Sequence, residues 1–331
     1  MSYTFRATVP ALLLSLMFLP TIVPCGLSAM AADPAPKDAA PAEQAPVERA
    51  PLLTRAQEDA IALERQLPRQ DLQQLHAGDE SFLALWKPAN SDDPQGAVIL
   101  LPGAGESPDW PDTIGPLRRK FPDVGWSTLS LSLPEVEDAA LMPREPDPAP
   151  ADAKPEAPKE APADAAATNP TAPSTPEDQA AADTAKAAAD AERDKAAAER
   201  VFARIDSAVA FAQQNKARSV VLLGHSGGAY WAARYLSERQ PPAVQKFVMI
   251  AAREPVDAKP SLMEMVPTLK MKTADFIYKN QVQRAATDRL QASKRVKGPG
   301  FTQIGLTDIA GNNEVEQEQL FKRVRGWVEA K

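Results

Sequence analysis

The chain has 331 residues, with 44 acidic and 37 basic side chains, a net charge of -7 and a pI near 5.1. That balance argues against a nucleic-acid partner, because phosphate binding needs a basic footprint. It gives no reason to expect binding to an anionic membrane surface either.

Residues 1–31 read as a secretory signal, so the chain is expected to be exported and periplasmic. Arg6 supplies the positive start, residues 11–23 form an apolar run, and Ala29-Met30-Ala31 fits the small-x-small cleavage rule. The run is short and proline-interrupted for a membrane span. Cys25 is the single cysteine. Lipid attachment there is the lesser alternative, because Pro24 stands where a lipoprotein signal has a small residue. Cleavage after Ala31 would leave no thiol, removing disulfides, thiolate metal sites and cysteine nucleophiles together. No cofactor and no metal is expected.

Residues 32–50 are Ala/Pro-rich and read as a flexible leader. The first part of the domain then occupies 51–141. Thr54 is placed to cap a helix over 54–66 whose apolar contacts are Ile61 and Leu63. Apolar runs at 72–75 and 82–86 flank Ala77-Gly78-Asp79-Glu80, the pattern of a hairpin about a glycine turn. Residues 97–101 form a continuous apolar run ending at Pro102-Gly103, as expected of a strand buried on both faces. A helix over 114–121 and a strand over 126–133 follow.

The composition then changes. Residues 143–176 carry ten prolines among Ala, Asp, Glu and Lys. Such a stretch has too little apolar surface to offset its ordering entropy, so residues 142–200 are expected to be an insert. It should end in a solvent-exposed helix starting at Thr175-Pro176-Glu177-Asp178. From Val201 the second part of the domain, 201–331, opens amphipathically, with Val201, Ile205, Ala208 and Ala212 on one side. Alternation continues with strands at 220–223, 247–251, 267–271 and 301–306. Helices are expected at 229–238, 276–293 and 314–330. Strands separated by helices imply a mostly parallel sheet covered on both faces.

Chemistry concentrates at Gly224-His225-Ser226-Gly227-Gly228. G-x-S-x-G is a weak pattern alone, but here a buried strand precedes it and a helix follows, which is the setting of an α/β-hydrolase nucleophile elbow. Ser226 takes the nucleophile position. The Gly227 N–H, at the helix start, is free to face an oxyanion. Pro102-Gly103-Ala104-Gly105 follows the earlier strand, where this fold takes its second donor, and Ala104 is the matching residue.

The stretches 101–111, Pro116-Leu117-Arg118-Arg119 and 125–131, the elbow Gly-His-Ser-Gly-Gly-Ala-Tyr, and Arg323-Val324-Arg325-Gly326-Trp327 resemble an uncharacterised family of proteobacterial α/β-hydrolase-like proteins. The resemblance covers 50–137 and 201–330. It implies the fold and supplies no substrate.

A serine needs a base. In this fold the base is a histidine in the loop after the last strand, with the acid preceding it. Here that loop reads Thr307-Asp308-Ile309-Ala310-Gly311-Asn312-Asn313, and the only histidines, His76 and His225, both precede Ser226. His225 reads as a packed elbow residue and His76 as a hairpin residue. Asp308 is the candidate replacement for the base, and it would need a raised pKa. Asp275, read as lying just past the 267–271 strand, is the candidate acid or else a helix-start aspartate. Arg284, Arg289, Lys294, Arg295 and Lys297 read as a solvated helix face. Two functions follow. One is a hydrolase-fold protein with weak or no catalysis that binds a small-molecule or acyl ligand, or a partner, at the old site. The other is a serine hydrolase, esterase-like, with an unusual base.

Overall fold

The computed structural model describes residues 53–135 and 176–330, apart from 257, 282, 283, 297–299 and 310. The signal, Cys25, the leader and the proline-rich part of the insert lie outside the described residues.

Eight strands form one sheet in the order β1-β2-β4-β3-β5-β6-β7-β8. β1 (Leu72–Ala77) and β2 (Glu80–Lys87) pair antiparallel across a turn in which Gly78 has φ of 62°, and β2 pairs antiparallel with β4 (Trp126–Leu131). From β4 onward every pairing is parallel, through β3 (Gly96–Leu101), β5 (Val220–His225), β6 (Val244–Ile250), β7 (Lys272–Tyr278) and β8 (Phe301–Leu306). The chain therefore has the α/β-hydrolase fold, with Ser226 at the turn after the central strand β5.

The apolar runs are explained by burial on both faces. β3 is buried along its whole length. Its side chains alternate: Ile99 and Leu101 join one core, and Val98 and Leu100 the other. The first core is closed by α3 (Pro176–Gln214) through Val201, Phe202 and Ile205, and by α4 (Gly227–Arg239) through Ala229, Tyr230 and Ala233. The second is closed by α2 (Ile114–Lys120) through Ile114 and Leu117 and by α7 (Asn313–Glu329) through Leu320, Phe321 and Val324. Each fully buried Leu, Ile or Phe contributes roughly 1.5–3 kcal/mol of transfer free energy.

α1 (Arg55–Gln66) begins with a capping box between Thr54 and Gln57. It packs Leu63 against Leu83 and Leu85, whereas Ile61 is exposed, so only one of its two expected apolar contacts is made. α3 is one helix of 39 residues, about 60 Å long. Residues 184–196 of it are exposed, and burial begins at Ala198.

One region departs from the expected pattern. Pro267 and Thr268, which begin the strand anticipated at 267–271, lie in a 3-10 turn (Val266–Thr268) after the short helix α5 (Leu262–Met265), and the strand is Lys272–Tyr278. The following helix, α6, runs Arg284–Arg295 instead of starting at Phe276. Asp275 is consequently inside β7 and not beyond it.

Candidate functional site

The carboxyl ends of the parallel strands open into a cleft of about 370 Å³, the usual position for a site in an α/β sheet. Its wall is built in segments. The loop after β3 supplies Glu106, Trp110 and Asp112, the elbow His225 and Ser226, and the loop after β6 Ala251 and Arg253. Tyr278 ends β7, and Glu316 and Gln317 come from the first turns of α7.

The elbow is sharp because the backbone is forced. Ser226 sits at φ 51°, ψ -122°, a conformation costing on the order of 1–3 kcal/mol for a residue with a side chain. Its backbone is held on both sides: the N–H donates to Ile250 O at 2.9 Å, and its carbonyl accepts from Ala229 N and Arg253 N, each at 3.2 Å. Two glycines let the turn pack. A Cβ on Gly228 would stand 2.3 Å from Pro102 O, and one on Gly224 would stand 2.5 Å from Ala229 Cα. The elbow thus leans directly on the end of β3.

That closeness brings the two oxyanion candidates together. A Cβ on Gly227 would lie 3.5 Å from the Ala104 nitrogen, and a Cβ on Gly103 would lie 3.0 Å from Ser226 Cβ. The loop after β3 and the start of α4 therefore lie against each other next to Ser226.

Glu106 is a site residue that the sequence reading passed over. One of its carboxylate oxygens, Oε2, accepts the Gly103 N–H at 2.7 Å and lies 2.7 Å from His225 Nδ1. It therefore ties the loop after β3 to the elbow. The only available signal is an acid three residues past Gly103, the spacing of a side chain that closes its own turn. The loop is also anchored from below. Arg118, 1% exposed, donates to Asp71 at 3.1 Å and to Asp109 at 3.0 Å, and Asp109 also receives Arg119.

His225 and Ser226 share the cleft, yet among the described residues no hydrogen bond joins the imidazole to the serine hydroxyl. His76 is in β1, bonded to Ser81 across the hairpin at 3.1 Å. Asp308 follows β8 at the position where the fold carries its base. Its carboxylate accepts from the Asn280 side chain; it is exposed and is not part of the cleft wall.

Asp275 is not brought to Ser226. It is fully buried in β7, where its Oδ2 accepts from Arg289 Nη2 at 3.0 Å, Arg289 Nε at 3.3 Å and Gln303 Nε2 at 3.2 Å. It is the buried half of an ion pair, inside the strand and neither past its end nor at a helix cap. The same pair corrects the reading of the basic run: Arg289 is 2% exposed, whereas Arg284 and Lys294 on the same helix fit the solvated face.

Tyr278 is held above its usual pKa, first by burial and then by the charges of the Glu316, Asp308 and Asp112 carboxylates around it. Among the described residues no group of three or more His, Cys, Asp or Glu is arranged to hold a metal ion, and no helix is long and apolar enough to cross a membrane.

Several solved structures are similar to the chain. Est1E from Butyrivibrio proteoclasticus shares 8% identity over 78% of this chain and 100% of that one, at a TM-score of 0.49. The Pyrococcus furiosus esterase Pf2001 shares 12% over 78% and 89%, at 0.49. Dienelactone hydrolase from Anabaena variabilis shares 14% over 78% and 97%, at 0.48. At such identities the likeness concerns the fold alone. The comparison with curated proteins found no match. Residues 9–330 match a family model, and the chain belongs to that family, DUF3530, described as a protein of unknown function.

Proposed function

We propose that the chain is an exported α/β-hydrolase-fold protein that binds a small molecule in the Ser226 cleft and has little or no classical Ser-His-acid hydrolase activity. The observation carrying this reading is the fate of the base. Both histidines precede Ser226, and the position after β8 holds Asp308, an exposed carboxylate engaged by Asn280 outside the cleft. A hydroxyl beside two oxyanion donors still needs a proton acceptor of matched pKa before it attacks. Without one, only the residual acceleration from binding and the oxyanion hole remains, about a thousandfold over water. Export rests on the leader sequence, with Ala29-Met30-Ala31 as its cleavage site.

One observation favours a second reading. Glu106 contacts His225 Nδ1 as an acid orients a catalytic imidazole, and both line the cleft with Ser226. The chain would then be a serine hydrolase using His225 from within the elbow. Fluorophosphonate labelling separates the two. Slow labelling of the wild type, with a gain in Asp308→His, is expected. Rapid labelling that Ser226→Ala abolishes and His225→Gln strongly slows would replace the first reading with the second.

A further inference from the structure

The wall of the Ser226 cleft carries more carboxylates than cations. Glu106, Asp112 and Glu316 line it, against Arg253 and the His225 imidazole. Even a fully protonated His225 leaves the acids in excess. Basic groups close by do not restore the balance, because Arg119 is taken up by Asp109 and Lys120 by Glu318. Arg253 is exposed, so water and salt screen its charge. At Tyr278, after the effect of burial, the charges that act are those of Glu316, Asp308 and Asp112, and each favours the protonated phenol.

One of these carboxylates is placed to meet a ligand directly. The Glu106 side chain is 12% exposed, and its contacts to Gly103 and His225 both fall on Oε2. Among the described residues Oε1 takes no hydrogen bond. A Cβ placed on Gly103 would stand 2.9 Å from Glu106 Oε1 and 3.0 Å from Ser226 Cβ, so the oxygen and the serine are no farther apart than two close contacts. A carboxylate oxygen in so sheltered a place gains most from a donor that is itself charged. Trp110 and Tyr278 line the same cleft, and aromatic faces attract cations as carboxylates do.

We propose that the Ser226 cleft selects small organic ammonium ions, with an N–H-bearing head on Glu106 Oε1 beside the serine and the apolar body against Trp110 and Tyr278. The inference rests on reading the cleft as a ligand site. The head needs hydrogens because an uncommitted carboxylate oxygen accepts hydrogen bonds. An acidic ligand is disfavoured, since it would bring a further negative charge to a wall that already holds three carboxylates. At about 370 Å³ the cleft lies at the small end of ligand pockets, so the body must be short.

The test is calorimetric titration of the wild-type protein with phenethylamine and butylamine, with the matched neutral phenethyl alcohol and butanol, and with phenylacetate, at neutral pH and fixed ionic strength. The amines should bind at least about tenfold more tightly than the alcohols, the scale of a charge-assisted hydrogen bond. Glu106→Gln, which keeps an acceptor for the Gly103 N–H, should erase most of that preference without moving the alcohols. Where it does not melt cooperatively, Asp112→Asn combined with Glu316→Gln decides the matter, and that pair should cut the preference by roughly threefold. A preference that survives these substitutions places the amine elsewhere on this acidic chain and overturns the proposal. Equal binding of amine and alcohol, or tighter binding of phenylacetate, overturns the selection for cations and leaves the cleft as a ligand site. Failure of every probe to bind up to its solubility limit overturns the selection and the ligand-site reading together.

Discussion

Replacing Asp275 by asparagine distinguishes a buried structural pair from a catalytic acid. The carboxylate is completely buried, its partner Arg289 is 2% exposed, and Oδ2 receives both the 3.0 Å and the 3.3 Å bond from the guanidinium. Asn keeps the shape and one carbonyl acceptor but removes the charge, so Arg289 remains as a buried cation without its counter-ion. Breaking a buried pair from one side costs about 3–5 kcal/mol, a drop of roughly 6–20 °C in melting temperature for a domain of this size. Asn retains some bonding, so the lower half of that range is expected. Asp275→Leu combined with Arg289→Met removes both charges and should fall within about 2 kcal/mol of wild type. Thermal and urea unfolding of the two variants measure this directly. A triad acid behaves differently, because its loss affects chemistry and leaves stability nearly unchanged. A shift below about 2 °C for Asp275→Asn would refute the pairing argument.

Other perturbations probe the elbow and its surroundings. Gly228→Ala forces a Cβ to within 2.3 Å of Pro102 O and 2.5 Å of Leu101 O, and because both obstacles are backbone atoms it should cost several kcal/mol, about 3 or more, in urea unfolding. Gly227→Ala, with its nearest obstacle at 3.5 Å, should fold normally by the same measurement. Glu106→Ala strands the Gly103 N–H and frees His225, and the loss of these two bonds should cost about 2–4 kcal/mol, while Glu106→Gln, which keeps an acceptor for Gly103, should cost less. In alkali, burial and the Asp206 carboxylate hold the Tyr235 proton above the ordinary value of 10.0, and burial and Glu316 do the same for Tyr278. The unfolded chain ionises first, so stability present below pH 10 should fall as pH rises past it, and Tyr278→Phe should flatten that slope in pH-dependent melting.

The legible parts of the site were those made by neighbours in sequence. The apolar run of β5, the two glycines and the serine between them announce a strand, a tight turn and a close approach, and the sub-3 Å neighbours of Gly224 and Gly228 are the physical reason for that spelling. The illegible parts were made by residues far apart. Glu106 and His225 are separated by 119 positions, and no local pattern links them. β7 was misplaced because Asp275 breaks its apolar run, whereas Val266-Pro267 nearby looks strand-like. The charge that disguises the strand is cancelled by Arg289, one helix later, and pairing of that kind is visible only once α6 lies against the sheet. Arg289 reads as a solvated residue in the sequence for the same reason.

The long helix α3 is exposed over residues 184–196 and packed from Ala198 onward. Starting a helix is its costly step, and here the buried turns from Ala198 onward already provide the nucleus. Residues 184–196 need only extend it, one hydrogen bond at a time, and their alanines favour doing so. The helix therefore behaves as a zipper closed from the domain outward. Amide hydrogens along it should exchange in order of distance from Ala198, the outermost fastest, without any opening of the sheet behind them. A protease cutting within 184–196 would shorten the zipper and leave the buried turns, and the cores they cover, unexposed.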